Sequence, residues 1–212
     1  MRVICVNTGL ANIASVRQAF ERLGVSLADA HDAQDIVKAD AVIMPGVGAF
    51  GPAMRSLQQR QLVTPLRDVI LDGRPLLAIC LGLQLLCEGS EEGAGEAGLG
   101  IVPGVVHRLR EREADRVRVP HMGWNRITPT RGAKLLGEDF MYFAHSFAIS
   151  HVPPEWQAAT VTHGQSFVAA IERGNVLACQ FHPELSGRAG AELLARWVDA
   201  AHKCTCAGGA SC

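Results

Sequence analysis

At 212 residues the chain has room for one domain with a full hydrophobic core. Hydrophobic residues make up 48% and charged residues 19%, the balance of a globular protein, and a formal net charge of −1 offers no electrostatic pull towards nucleic acid or an anionic membrane. The longest apolar run, Pro75 to Leu86, is interrupted by Gln84 and falls short of the roughly 18 residues that a membrane span needs.

In chain order, Arg2 to Val6 reads as a strand entering a Gly turn rather than as a signal peptide, which predicts a cytosolic protein. Ile13, Val16, Phe20 and Leu23 then recur at helical spacing, and Gly24 is placed to end that helix. Strands are expected at Val25 to Ala28 and at Ala41 to Met44. Two helical segments follow between Phe50 and Leu71, with Thr64 as N-cap and Pro65 at the first helical position of the second. Pro75 to Ile79 reads as a buried strand, and Leu81 to Cys87 starts another helix. This β-α-β order predicts a mostly parallel sheet flanked by helices. After the Gly-rich stretch from Gly89 to Gly100 the pattern changes to short strands between Pro, Gly and charged turns, which predicts an antiparallel extension of the same domain. Val176 to Phe181 is a further apolar strand, and Ala191 to Ala201 a closing helix with Leu194, Trp197 and Val198 on one face. The domain is expected over residues 1–203, with a disordered tail over 204–212.

Of seven cysteines, Cys5, Cys80, Cys87 and Cys179 lie in apolar segments, and Cys204, Cys206 and Cys212 in the polar tail. In a reducing compartment all except Cys80 read as free thiols, the apolar ones buried as small hydrophobes. No histidine has metal-ligand spacing, and nothing in the sequence calls for a metal or a cofactor. His31, His107, His145, His151, His163 and His202 read as structural or exposed.

Three segments carry chemistry. Ala78-Ile79-Cys80-Leu81-Gly82 is a buried strand running into a helix with Cys at the bend, the pattern of a nucleophile elbow. A helix N-terminus would favour the thiolate there. A buried structural Cys beside a Gly turn would give the same local pattern. His182-Pro183-Glu184 closes the Val176 to Phe181 strand; an imidazole can take the thiol proton and a carboxylate two residues on can orient it. The plainer alternative is a surface turn. Pro45-Gly46-Val47-Gly48-Ala49-Phe50 follows the third strand, where glycines allow backbone N–H groups to face a ligand as in an oxyanion hole.

Together these segments resemble the triad-type, class I glutamine amidotransferases, and most nearly the glutaminase subunits of imidazole glycerol phosphate synthases. The resemblance runs over nearly the whole chain. It rests on PGVGAF (45–50), CLGLQL (80–85), GLGIVPG (98–104), VPHMGWN (119–125), YFAHS (142–146) and QFHPE (180–184). Without it, VPHMGWN would read as a packed loop and His121 as an ordinary polar residue. The resemblance implies a flavodoxin-like fold and a thioester at Cys80, with His182 as base and acid and Glu184 orienting it. It further implies oxyanion-hole amides at Gly46, Val47 and Leu81, and glutamine contacts from Gly48, Gln84, Ser146 and Phe147. Met122, Trp124 and Tyr142 would lie at the contact with a (β/α)8 cyclase, which would receive ammonia in a heterodimer.

The chain departs from the family pattern in three places, one of them Phe147-Ala148, which replaces the more common aromatic or polar pair after His-Ser. Asn7-Thr8-Gly9-Leu10-Ala11-Asn12 stands where Asp-Tyr-Gly-x-Gly-Asn is usual, and Leu185 replaces the Lys that normally follows His-Pro-Glu at the interface. None of these changes touches the triad. Two other readings stay open on the sequence: a related glutaminase serving another synthase, and a flavodoxin-like redox sensor whose Cys80 does not hydrolyse.

Overall fold

The computed structural model describes residues 1–6, 13–93, 95–111 and 117–208. The altered loop at 7–12 and the last four residues lie outside them. A nine-stranded sheet runs through the molecule. Its parallel half is β2 (Leu27–Asp29), β1 (Val3–Cys5), β3 (Ala41–Gly46), β4 (Leu76–Cys80) and β12 (Val176–Cys179), in that spatial order. Antiparallel strands continue it: β11 (Gln165–Arg173), β10 (Gln157–His163), β7 (His121–Pro129) and β8 (Asp139–His145). A second, three-stranded sheet is made of β5 (Cys87–Ser90), β6 (Val102–Arg108) and β9 (Phe147–Ala148).

Strand periodicity explains why helices must cover both faces. Along β4, Leu76 and Ala78 join one apolar cluster, while Leu77 and Ile79 join another on the opposite face. The first cluster is closed by α3 (Phe50–Gln59) and α4 (Val63–Leu71), through Phe50, Met54, Leu57, Leu66 and Val69. The second is closed by α1 (Ile13–Glu21) and α6 (Gly187–Gly208), where Phe20 meets Trp197 edge-to-face at 5.9 Å. Full burial of each such side chain stabilises the fold by about 1.5–3 kcal/mol before conformational entropy is set against it.

Several local expectations shift. The second helix of the 50–71 stretch is capped by Leu62 in helical conformation with no side-chain bond, so Thr64 and Pro65 sit inside the first turn. Pro is tolerated there because N–H groups of a first helical turn have no intrahelical acceptor in any case. A short helix, α2 (Ala33–Val37), was not expected; the Asp32 carboxylate caps it by accepting from the Asp35 N–H at 3.1 Å. The helix after Cys80, α5, spans only Leu81–Leu85. VPHMGWN is not a loop, since from His121 onward it forms β7, paired with β8 in the register Met122 to Ala144 and Trp124 to Tyr142. The closing helix α6 continues through Cys204 and Cys206 to Gly208, where the sequence suggests a tail. Among the described residues no helix is long and apolar enough to cross a membrane.

Candidate active site

β3, β4 and β12 lie side by side in parallel, so their C-terminal ends bring the three chemistry-bearing segments to one edge of the sheet. Cys80 ends β4 with φ 53° and ψ −108°, a conformation rare for a residue with a Cβ. This bend turns the side chain out of the strand direction before α5 starts. Two glycines make the bend possible. A Cβ on Gly82 would lie 2.0 Å from the Met44 carbonyl oxygen, and one on Gly46 would lie 2.8 Å from Leu81 Cβ. Gly46 is also the register partner of Cys80, which sets the Gly46–Gly48 turn against the nucleophile.

His182 is buried just past β12, with its Nδ1 2.8 Å from Glu184 Oε1 and the Cys80 side chain near enough to act on its charge. The 3-10 turn Pro183–Leu185 folds Glu184 back onto the ring. Burial pulls the His182 pKa down. The hydrogen bonds to Cys80 and Glu184, with the coulombic attraction of both, outweigh it and raise the value from the usual 6.5 to about 10. The helix that follows Cys80, α5, has only five residues, so its dipole is small. Burial pushes the Cys5 and Cys87 thiols up to about 12, and it also raises Cys179 well above its ordinary value. Those cysteines are inert hydrophobes, as their apolar settings suggest.

The His182 backbone is anchored to β8. Its N–H donates to the Tyr142 carbonyl at 2.9 Å, and Ser186 Oγ joins the two residues by donating to the His182 carbonyl (2.6 Å) and accepting from the Tyr142 N–H (2.9 Å).

A cavity of about 360 Å³ opens over Cys80, walled by Val47, Gly48, Leu81, Gln84, Ser146 and Phe147. It is large enough for an amino acid. A second cavity of about 240 Å³ holds Gly46, His182, Glu184, Tyr142 and Leu185, and Val47 and Ala144 line both. Every candidate for the glutamine site therefore reaches the first cavity, and so does Met122 from the interface set. Tyr142 reaches the second, while Trp124 lines neither and packs edge-on against Tyr142 at 5.9 Å. One contact is altered from expectation. Both amide hydrogens of Gln84 are committed, to the Phe147 carbonyl (2.9 Å) and to Gln180 Oε1 (3.2 Å), so what it offers a ligand is its carbonyl oxygen.

Two polar residues of the site were given no role on sequence. Glu92 lines the first cavity, and its Oε2 accepts the Phe50 N–H at the start of α3 (2.9 Å). Nothing in a Gly-rich stretch marks it out. Gln180, fully buried, donates to the Cys80 sulfur at 3.7 Å. Its signal was the two-residue spacing to His182 along a strand that is otherwise apolar.

Residues 4–201 match the class-I glutamine amidotransferase family model. The chain is 42% identical over 203 residues to the imidazole glycerol phosphate synthase subunit HisH of Acaryochloris marina, covering 93% of this chain and 94% of that protein. It is 43% identical over 202 residues to the HisH subunit of Trichormus variabilis, covering 92% and 94%. It is also 41% identical over 201 residues to the chloroplastic imidazole glycerol phosphate synthase hisHF of Arabidopsis thaliana, covering 92% of this chain but 34% of the plant protein. Among solved structures, one described as a glutamine amidotransferase superposes with a TM-score of 0.74 at 18% identity, covering 94% of this chain and 98% of that one. PurLQS from Thermotoga maritima superposes with a TM-score of 0.64 at 15% identity, covering 95% and 97%. At those identities the superpositions speak for the fold alone.

Proposed function

The chain belongs to the class-I glutamine amidotransferases of the HisH kind, and on that premise we propose that Cys80, His182 and Glu184 release ammonia from glutamine for a cyclase partner. The observation that carries this reading is that Cys80 lines a cavity of amino-acid size while His182, paired with Glu184 at 2.8 Å, lies close enough to act on it.

In this mechanism glutamine enters the first cavity with its side-chain amide over Cys80. The Glu92 carboxylate pairs with the α-ammonium, and the Gln84 carbonyl, Gly48, Ser146 and Phe147 complete the contacts. The thiolate attacks the amide carbon. Backbone N–H groups of Gly46, Val47 and Leu81 take the developing oxyanion. Imidazolium His182 then gives its proton to the departing nitrogen, so ammonia leaves and a thioester remains on Cys80. Water, deprotonated by the now neutral His182, hydrolyses the thioester. The products are glutamate, the regenerated thiolate and imidazolium, and one proton released to solvent. No cofactor is required.

Ammonia would pass to a cyclase with a (β/α)8 barrel docked over the face formed by Met122, Trp124 and Tyr142, giving a cytosolic heterodimer. The cyclase would join it to a phosphoribulosyl nucleotide, yielding imidazole glycerol phosphate and an aminoimidazole carboxamide ribonucleotide. The long plant relative, of which this chain spans about a third, supports a division of that work between two units.

The test is glutamate release from glutamine by wild type and Cys80→Ala, each alone and with a histidine-pathway cyclase and its nucleotide ligand. Cyclase-dependent turnover that vanishes in the variant is the expected result. Turnover that ignores the cyclase would assign the chain to a different synthase, and no turnover from folded protein in any mixture would overturn the triad reading.

A further inference from the structure

We propose that Gln180 is a fourth catalytic residue: its side-chain amide holds an N–H on the Cys80 sulfur, in an orientation imposed by a hydrogen-bond chain rooted at the Phe147 carbonyl. The inference rests on Cys80 being the nucleophile, and it adds a group that neither the triad nor the oxyanion hole includes.

A glutamine amide has two unlike ends, and only the NH2 end stabilises a thiolate. Which end faces Cys80 is decided by its neighbours. The Phe147 carbonyl can only accept. Gln84 must therefore turn its NH2 towards it, at 2.9 Å, and the second hydrogen of that NH2 reaches Gln180 Oε1 at 3.2 Å. With its oxygen so engaged, Gln180 presents Nε2 to the Cys80 sulfur at 3.7 Å. Reversing Gln84 would set its oxygen against the Phe147 carbonyl, and reversing Gln180 would set two NH2 groups against each other, in a site where Gln180 is wholly buried and Gln84 nearly so.

The same carbonyl orders a second branch. His145 Nδ1 lies 2.9 Å from the Phe147 oxygen and must carry the proton, leaving Nε2 to accept from His121 Nδ1 at 3.2 Å. His121 Nε2 in turn faces the Asn125 amide at 3.4 Å, which also donates to the Thr162 carbonyl at 2.9 Å. His163 stacks on His121 at 4.1 Å between centroids. Both inner imidazoles fit this arrangement only when neutral, and burial, with the neighbouring histidines, keeps them so: His121 is lowered to about 4 and His145 to about 3. With both rings neutral the network keeps its polarity.

The charged and titratable groups around the sulfur are few. His182 acts on it by charge and is paired with Glu184; Glu92 and neutral His145 line the cavity. Against this background one fixed N–H matters twice, holding thiolate in the resting enzyme and receiving the charge again when the thioester breaks.

The experiment is alkylation of Cys80 by iodoacetamide in the isolated chain as a function of pH, read on the Cys80 peptide because Cys204 and Cys206 are also accessible. Gln180→Met removes the donor, and Gln180→Glu replaces it with an acceptor. The alkylation midpoint is expected to rise by about one pH unit in Gln180→Met, a tenfold change in the ionisation constant, and by more in Gln180→Glu. In the cyclase complex kcat should fall in the same order and by more than KM for glutamine rises, since Gln180 meets sulfur directly and substrate only through Gln84. Midpoints equal to wild type in both folded variants would overturn the proposal. Should neither variant fold, the wild-type amide protons of Gln180 provide the readout: their NMR resonances must move as Cys80 titrates and stay still in Cys80→Ala. Alkylation does not depend on glutamine turnover, so absence of glutaminase activity and absence of a midpoint shift are separate results.

Discussion

His182 is the side chain in this site on which opposing influences are largest. Burial alone would leave it neutral, yet the sulfur and the Glu184 carboxylate raise it to about 10. Because that value lies above the 6.5 of an unperturbed histidine, the pairing stabilises the folded protein fully below about pH 6.5, and the contribution is lost as pH rises through about 10. Glu184→Gln removes one of the two charges that support the imidazolium. An NMR titration of His182 should show its pKa below the wild-type value, and glutamine turnover in the cyclase complex should drop roughly 10³–10⁴-fold, the scale of losing a triad carboxylate. An unchanged titration would mean that Glu184 only orients the ring. The proposed triad was legible because each candidate sits in a short motif whose residue types fit one chemistry. Gln180 and Glu92 were not, because an amide or a carboxylate becomes functional only through what faces it.

At the scale of elements, the elbow depends on how closely β3 can approach the turn from β4 into α5. The Cys80 backbone conformation is costly for a residue with a side chain, and the absence of a Cβ at Gly82 permits it. Gly82→Ala would drive a methyl into the Met44 carbonyl, so the turn must move away from β3. The expected cost is at least about 1–3 kcal/mol by chemical denaturation, with loss of Cys80 alkylation at neutral pH. Wild-type stability and reactivity in this variant would show that the elbow can relax. Alternation and helical spacing made the buried strands and the longer helices readable in the sequence. They could not reveal α2, whose five residues are too few to show a period, nor place the start of α4, where Leu62 carries no capping group.

At the scale of the molecule, the face above the site is unusually apolar for a surface. Met122 is 66% exposed and Trp124 55%, and across the β7–β8 ladder Phe140 and Tyr142 project from the same side. Leu185 extends this face beside the second cavity, in place of the usual Lys. The proposed cyclase contact therefore relies on apolar burial more than on charge. Trp124→Ala should weaken cyclase binding by about 2 kcal/mol or more, near thirtyfold in Kd by calorimetry, with little salt dependence in wild type. Wild-type affinity in the variant would place the partner elsewhere. This face is also tied to the chemistry, since the Tyr142 backbone and Ser186 hold the His182 backbone in place.

By itself the sequence determined the α/β alternation and singled out Cys80, His182 and Glu184 as candidates for a nucleophile and its partners. Those features are encoded locally, in periodicity and in runs of a few residues. Only the tertiary structure decided which end of each buried amide faces the sulfur, that Glu92 closes the cavity, and that Met122, Trp124, Phe140 and Tyr142 form one surface. Those properties arise from strand register and from the directions of donors and acceptors brought together across distant parts of the chain, which no short stretch of sequence contains.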